Sequence, residues 1–184
     1  LLLNCSGINF AQSSDKRLKL AKEFIFEHKY SKAKQELEYI IFNDPLSKYA
    51  NKAQFYLAES EFYLKNYRDA MLEYNNYLKQ PFQELQLTIK AQYMLCKCWY
   101  ELSNDVLRDQ TSTYVALDKL QYYIEKKTMK GYSDEISDMI KNLRNKLAQK
   151  EFDTANLYFQ LEQYEAAKVY FKNIINEFYD TDYI

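Results

Sequence analysis

The chain has 184 residues, a net charge of −1 and no basic run, which argues against nucleic acid as its main partner. Its hydrophobic content of 47% excludes a disordered chain, and two Gly and two Pro leave few helix-breaking positions. The single His28 and the scattered carboxylates predict no metal site or cofactor. The sequence contains no Gly-rich phosphate loop and no nucleophile motif, so it gives no indication of catalysis. We therefore expect an all-α, non-enzymatic protein.

The chain opens with three Leu, followed by Asn4 and Cys5, and then turns polar. This start resembles the end of a bacterial signal peptide with a lipobox, whose Cys is lipidated. The lipobox usually has Gly, Ala or Ser where this chain has Asn4, and the alternative is an apolar start with an incidental Cys. We predict residues 1–5 as a signal-peptide remnant with Cys5 as the lipidation site, and residues 6–14 as a tether.

A repeated apolar pattern runs through the rest of the chain. Ala53–Leu64 is matched by Ala91–Leu102, and a second helix with Tyr and Ala three residues apart follows in several units. Small residues in both helices of a pair would allow close packing. We predict four helix pairs, at about 15–45, 48–82, 84–127 and 133–179. They must stack, because none could bury its apolar face alone. The pattern resembles a degenerate tetratricopeptide repeat, so the predicted fold class is an all-α solenoid.

Two irregular segments fall in the second half of the chain, residues 83–184, which holds repeats three and four. The segment Ser103–Gln110 is an insertion between the helices of the third pair. Ser133–Leu161 is predicted as one long helix with Ser133 as its N-cap. The first half, residues 15–82, holds repeats one and two. Cys96 and Cys98 lie two positions apart on a helix, so we predict buried thiols without a disulfide bridge.

Three segments carry distinctive motifs, namely Leu107–Leu117 with its Asp-Gln-Thr motif, Leu143–Phe152 and Phe178–Thr181. These motifs resemble the BamD-type lipoproteins of the outer membrane, most closely the members from the Bacteroidetes. The resemblance implies a periplasm-facing lipoprotein of the β-barrel assembly complex, held to the membrane by its lipid. The C-terminal repeats would dock the barrel subunit BamA, and the N-terminal repeats would receive unfolded outer-membrane proteins. Because that family has five repeats, the resemblance also predicts a chain truncated at both ends.

A peptide groove is predicted along the first helices of the repeats, where such a stack forms a concave face. The rings would supply contact area, and Lys22 or Lys97 would pair with a peptide carboxylate. The alternative is that the rings are core between repeats. The predicted groove residues are Lys22, Phe26, Phe55, Glu59, Tyr63, Tyr93 and Lys97.

A partner contact is predicted at Arg108 and Asp109 in the inserted loop and at Lys146 and Glu151 on the long helix. The alternative is a loop that caps itself, with Asp109 accepting from backbone N–H groups and Arg108 paired on the surface. Two other functions fit the same chain. One is a periplasmic repeat adaptor lipoprotein of cell-wall or division machinery, and the other is a glycan-binding lipoprotein.

Overall fold

The computed structural model describes residues 13–81, 83–103, 105–126 and 131–184. Cys5 and most of the predicted tether lie outside these ranges. The described residues form eight α-helices and no strand, which confirms the all-α prediction. The helices are α1 (Ser14–Phe26), α2 (Tyr30–Asn43), α3 (Ala50–Tyr63), α4 (Tyr67–Lys79), α5 (Leu85–Glu101), α6 (Thr111–Glu125), α7 (Ser133–Gln160) and α8 (Tyr164–Glu177). None of them is both long and apolar enough to cross a membrane.

Within each unit, several helices that are neighbours along the chain pack together, as in a tetratricopeptide-like solenoid. The chain divides into a first unit that ends at Ala91 and a second unit that begins at Gln92, so α5 contributes to both. In the first unit α1 packs on α2, α2 on α3 and α3 on α4. In the second unit α6 packs on α7 and α7 on α8.

The small residues predicted at helix contacts are all buried, with 2% or less of their surface exposed. A side chain of this size lets two helix backbones approach closely, and larger apolar groups then fill the space on either side. This confirms the predicted role of the small positions in both helices of each pair. They are Ala21, Ala33, Ala58, Ala70, Cys96, Ala116, Ala155 and Ala167.

Three of the turns between paired helices have the same geometry. His28, Lys65 and Glu162 each have φ near +60°, directly after the last turn of a first helix. At the first of these turns Lys29 N donates to Phe24 O and His28 N donates to Ile25 O, and the other two turns repeat this pattern. It is a Schellman end, which usually places Gly at the left-handed position. The chain thus makes these three turns without glycine, at the steric cost of a side chain in the left-handed region.

α7 confirms the predicted long helix, although its N-cap position is held by Tyr132 and not by Ser133, which is the first helical residue. The second unit buries Leu120, Ile136, Leu143 and Leu147 in one cluster. This cluster lies along the first half of α7 and against α6. The helix is therefore held as a single rod by packing, with no side-chain cap at its start.

Cys96 and Cys98 are fully buried free thiols, as predicted. Burial in apolar surroundings disfavours the thiolate and raises the pKa of each thiol to about 12. Both groups therefore remain protonated at neutral pH and contribute to packing only.

The segment after α8 is fastened to α7 by Arg144. Its Nε–H is shared between the two oxygens of the Asp180 carboxylate, both at 2.9 Å. Its Nη2 donates to Asp180 Oδ1 at 2.5 Å and to Glu177 O at 2.6 Å. The hydrogen bonds from Arg144 hold the pKa of Asp180 below its usual value. This arrangement gives a physical role to the Phe178–Thr181 motif, whose acidic residue secures the end of the last helix pair.

Candidate functional site

A groove lies in the first unit along α1, the start of α3 and the start of α5. We call it the lysine groove, because four lysines line it together with two carboxylates and two Tyr rings. Its volume is about 410 Å³, a size suited to a short peptide segment. The lining residues are Asp15, Leu18, Lys19, Lys22, Lys48, Tyr49, Lys52, Tyr56, Glu84 and Leu87.

Two of the four lysines are neutralised within the groove. Lys19 Nζ lies 3.0 Å from an oxygen of Asp15, and Lys52 Nζ lies 2.7 Å from an oxygen of Glu84. The hydrogen bond to Glu84 raises the pKa of Lys52. These two pairs leave the charge of the other two lysines uncompensated.

Lys22 and Lys48 face aromatic rings. Lys22 Nζ lies 5.4 Å from the centre of the Tyr56 ring, and Lys48 Nζ lies 5.2 Å from the centre of the Tyr49 ring. Within the described ranges, neither ammonium group forms an ion pair with a carboxylate. Cation–π contact at a partly exposed site is weak, so both groups keep the capacity to bind an anion.

The predicted groove residues of the first unit do not all line the same surface in the structure. Lys22 lines the groove, whereas Phe55 is 0% exposed and packs on the rings of Tyr74 and Tyr77. Glu59 is 6% exposed and accepts a hydrogen bond from Lys90 at 2.5 Å. Phe55 and Glu59 are therefore parts of the repeat interior, and their burial favours the alternative that predicted groove residues belong to the core between repeats.

The remaining predicted groove residues lie outside the lysine groove. Phe26 is 87% exposed at the end of α1. Tyr63 is 49% exposed and stacks on Tyr30, with ring centres 4.8 Å apart. In the second unit Tyr93 stacks on the ring of Tyr132 at 4.1 Å, and Lys97 Nζ lies 5.9 Å from the Tyr93 ring.

A second cavity, of about 300 Å³, lies in the second unit between the inserted loop and α7. We call it the loop cleft. Three of the four predicted partner-contact residues line it: Arg108 and Asp109 from the loop and Glu151 from α7. Lys150 and the half-exposed ring of Tyr114 complete its polar wall. The cleft therefore presents two cations and two carboxylates next to an aromatic ring.

Gln110 organises the inserted loop. Its side chain is 8% exposed, and its Nε2 donates to the carbonyl oxygens of Asp105 and Arg108 at 2.8 and 2.9 Å. Its Oε1 accepts a hydrogen bond from Thr113 Oγ1 at 2.8 Å. A buried amide with its bonds satisfied fixes the backbone around it. These hydrogen bonds thus order the part of the loop from Asp105 to Gln110.

Asp109 accepts a hydrogen bond from the backbone N–H of Thr111 at 3.0 Å, and this contact lowers its pKa. That part of the self-capping alternative holds for Asp109. The guanidinium of Arg108 is exposed and pairs with no carboxylate among the described residues. Leu107 next to it is 84% exposed. The loop therefore presents one cation and one apolar side chain to solvent.

Lys146 and Glu151 differ in their surroundings. Lys146 lies outside the loop cleft, where its Nζ donates to Ser103 Oγ at 2.8 Å and lies 5.3 Å from the Tyr100 ring. It ties α7 to the start of the inserted loop. Glu151 accepts a hydrogen bond from Asn173 of α8 at 3.0 Å and lines the cleft.

Several lining residues were not predicted from the sequence. In the lysine groove these include Lys48 and Lys52, and in the loop cleft Gln110 and Lys150. Lys52 lies in the first turn of α3, whereas Lys48 lies two residues before that helix begins. The helical periodicity of α3 therefore gave no signal for the lysine pair. Gln110 gave no signal either, because its role depends on the path of the loop.

The comparisons with known proteins agree with this architecture. The family described as YfiO, an outer membrane lipoprotein, matches residues 12–184. The chain is similar to the outer membrane protein assembly factor BamD of Rickettsia prowazekii (strain Madrid E), with 26% identity over 153 residues. The match covers 83% of this chain and 61% of that relative, so the chain spans about three fifths of the relative's length. The predicted resemblance is confirmed, and the chain belongs to the YfiO family of outer membrane lipoproteins, which includes the BamD type.

Proposed function

We propose that this chain is a non-catalytic scaffold of the machinery that assembles outer-membrane β-barrel proteins. The first unit receives unfolded outer-membrane proteins, and the second unit docks the barrel subunit BamA. Family membership and the name of the BamD relative support this general role. The observation that carries the proposal is the lysine groove, in which Lys22 and Lys48 lie beside aromatic rings without a carboxylate partner.

The groove suits a peptide that ends in an aromatic residue. A terminal carboxylate would accept charge-assisted hydrogen bonds from Lys22 and Lys48. The last side chain of the peptide would contact the rings of Tyr49 and Tyr56, which form the apolar part of the wall. An internal peptide segment lacks the carboxylate, so the groove would discriminate chain ends from the middle of a chain.

The loop cleft suits a folded partner domain. Because Gln110 already orders the loop, docking there costs little conformational entropy. Charges of both signs at Arg108, Lys150 and Glu151 would fix the orientation of the partner. The exposed Leu107 would supply the apolar contact at the centre. We therefore assign BamA docking to this cleft.

One experiment tests both units. A labelled peptide that ends in Phe with a free carboxylate, and the same peptide with an amidated end, are titrated against the chain. We expect the free acid to bind more tightly, and Lys22→Ala or Lys48→Ala to weaken its binding by roughly tenfold each. The periplasmic domains of BamA are titrated in parallel, and Arg108→Glu should weaken that interaction by a similar factor while leaving peptide binding unchanged.

The two sets of variants serve as controls for each other. Lys22 and Arg108 are exposed, so neither substitution should change the unfolding midpoint. Equal binding of the acid and the amide would refute carboxylate recognition. Wild-type affinity of the Arg108→Glu chain for the BamA domains would refute docking at the loop cleft.

The anchor of the scaffold is proposed to be a lipid on Cys5, with the repeats facing the periplasm. Metabolic labelling of cells with a tagged fatty acid should label the wild-type chain and leave the Cys5→Ala chain unlabelled. Cys96 and Cys98 act as internal controls, because both thiols are buried and protonated. Label that persists in the Cys5→Ala chain would show that the anchor is elsewhere.

A further inference from the structure

A third cavity lies in the first unit, beside α2 and α4, the second helices of the first two repeats. It is larger than the lysine groove and the loop cleft. Its volume is about 590 Å³, and α2, α3 and α4 all contribute to its lining. α3 packs against both α2 and α4, so it forms the floor while the other two helices form the walls. Gln54 and Leu57 of α3 are 6% and 5% exposed at this floor. We call this cavity the acidic cleft.

The charged side chains that line the acidic cleft are carboxylates, and no described lining residue is basic. Glu73 accepts hydrogen bonds from the side-chain amides of Gln54 and Asn76. These neutral donors orient the carboxylate and leave its charge uncompensated, since Glu73 forms no ion pair with any described residue. The cleft therefore has a fixed negative charge at the α4 wall.

The α2 wall is also acidic. Glu38 lies 3.7 Å from Lys34 Nζ, but the same Nζ lies only 2.5 Å from an oxygen of Glu61. Lys34 is thus mainly engaged away from the cleft, and its compensation of Glu38 is weak. The net charge that an occupant would meet is negative on both walls.

Apolar side chains also line the acidic cleft. Phe42 is 87% exposed at the rim, and Ile41 and Leu57 lie further inside. The ring of Tyr39 is held in place by the guanidinium of Arg17, 3.7 Å from its centre. A rigid aromatic wall next to an exposed Phe is typical of a surface that a protein partner covers.

We propose that the acidic cleft is a docking site for a partner segment that carries Arg or Lys next to apolar side chains. The cation would pair with Glu73 and Glu38, and the apolar side chains would cover Phe42 and Leu57. Charge complementarity decides this choice, because an acidic segment would be repelled by the uncompensated Glu73 and the weakly compensated Glu38. The lysine groove of the same unit selects the opposite charge, so the two sites take different ligands.

The test uses the full chain and a short labelled peptide of Leu, Ala and Arg with blocked ends. A matched peptide has Glu in place of each Arg. We expect the Arg peptide to bind and the Glu peptide to bind at least tenfold more weakly. Glu73→Gln keeps an oxygen that can accept from Gln54 and Asn76 but removes the charge. It should weaken binding of the Arg peptide by roughly tenfold. Phe42→Ser should have a similar effect.

Two control variants separate this site from general attraction to an acidic surface. Glu165→Gln removes an exposed carboxylate of α8, and Lys22→Ala alters the lysine groove, so both should retain wild-type affinity for the Arg peptide. Equal binding of the two peptides would overturn the proposal, as would wild-type affinity in both the Glu73→Gln and Phe42→Ser chains. Self-association of the chain that Phe42→Ser abolishes would also overturn it, because the occupant would then be a second copy. Unfolding midpoints of the variants verify that each is folded.

Discussion

Replacement of Glu36 by Gln is expected to lower the free energy of unfolding of the first unit by about 3 kcal/mol. Glu36 of α2 pairs with Arg17 of α1, and their side chains are only 12% and 1% exposed. The Gln variant keeps the shape but leaves the guanidinium buried without its carboxylate. Breaking a buried ion pair on one side is costly, because the remaining buried charge loses the carboxylate that offset its removal from water. Urea unfolding followed by circular dichroism measures the loss.

Two further variants test whether the loss of stability comes from breaking the buried ion pair. Glu38→Gln alters an exposed carboxylate two residues away on the same helix and should change stability by less than about 0.5 kcal/mol. Replacement of the whole pair by Arg17→Met with Glu36→Leu should be less destabilising than Glu36→Gln alone, because no buried charge remains. A Glu36→Gln chain that unfolds at the wild-type urea concentration would show that the pair contributes nothing.

Replacement of Phe55 by Ala is expected to cost about 4 kcal/mol, the largest single effect that we predict. The ring is fully buried between the two helices of the second repeat. It makes edge contacts with Tyr56, Tyr74 and Tyr77 at centre distances of 5.5, 5.8 and 5.5 Å. Truncation removes all three contacts and leaves a cavity that rigid helices cannot close. Thermal and urea unfolding measure the change.

Phe26→Ala is the matched control, because Phe26 is 87% exposed and shares with Phe55 the predicted place in the peptide groove. Its loss should leave stability within about 0.5 kcal/mol of the wild type. Similar unfolding curves for the two variants would contradict the burial of Phe55. A Phe55→Leu chain, which fills more of the space, should recover part of the lost stability.

The sequence was sufficient for the helices and for the places where they touch. A helix pair requires apolar residues at helical spacing and a small residue where the backbones approach, and both requirements are visible in the chain itself. Ala21, Ala58 and Ala70 were therefore recognisable as buried contacts. The length of α7 was recognisable too, because no Gly or Pro interrupts its pattern.

The sequence was not sufficient to separate core rings from groove rings. Lys22 and Glu59 occupy equivalent positions in their repeats, yet Lys22 lines the lysine groove and Glu59 is buried against Lys90. The physical reason is that α3 is covered by α2 on one side and by α4 on the other. Burial of a side chain depends on which helices surround it, and a helix with neighbours on two sides shows only weak amphipathicity.

The local chemistry of the chain thus determined the secondary structure, the repeat and the close helix contacts, since these depend on residues near one another in sequence. Tertiary structure alone decided which charges stayed uncompensated. Lys22 and Glu73 gain their roles from residues on other helices: the Tyr56 ring of α3 faces Lys22 of α1, and the Gln54 amide of α3 donates to Glu73 of α4. Gln110 likewise became the organiser of the inserted loop only when the loop brought three carbonyl groups to its amide. Such contacts are set by the folded path of the chain, because the partners are chosen by geometry and not by spacing.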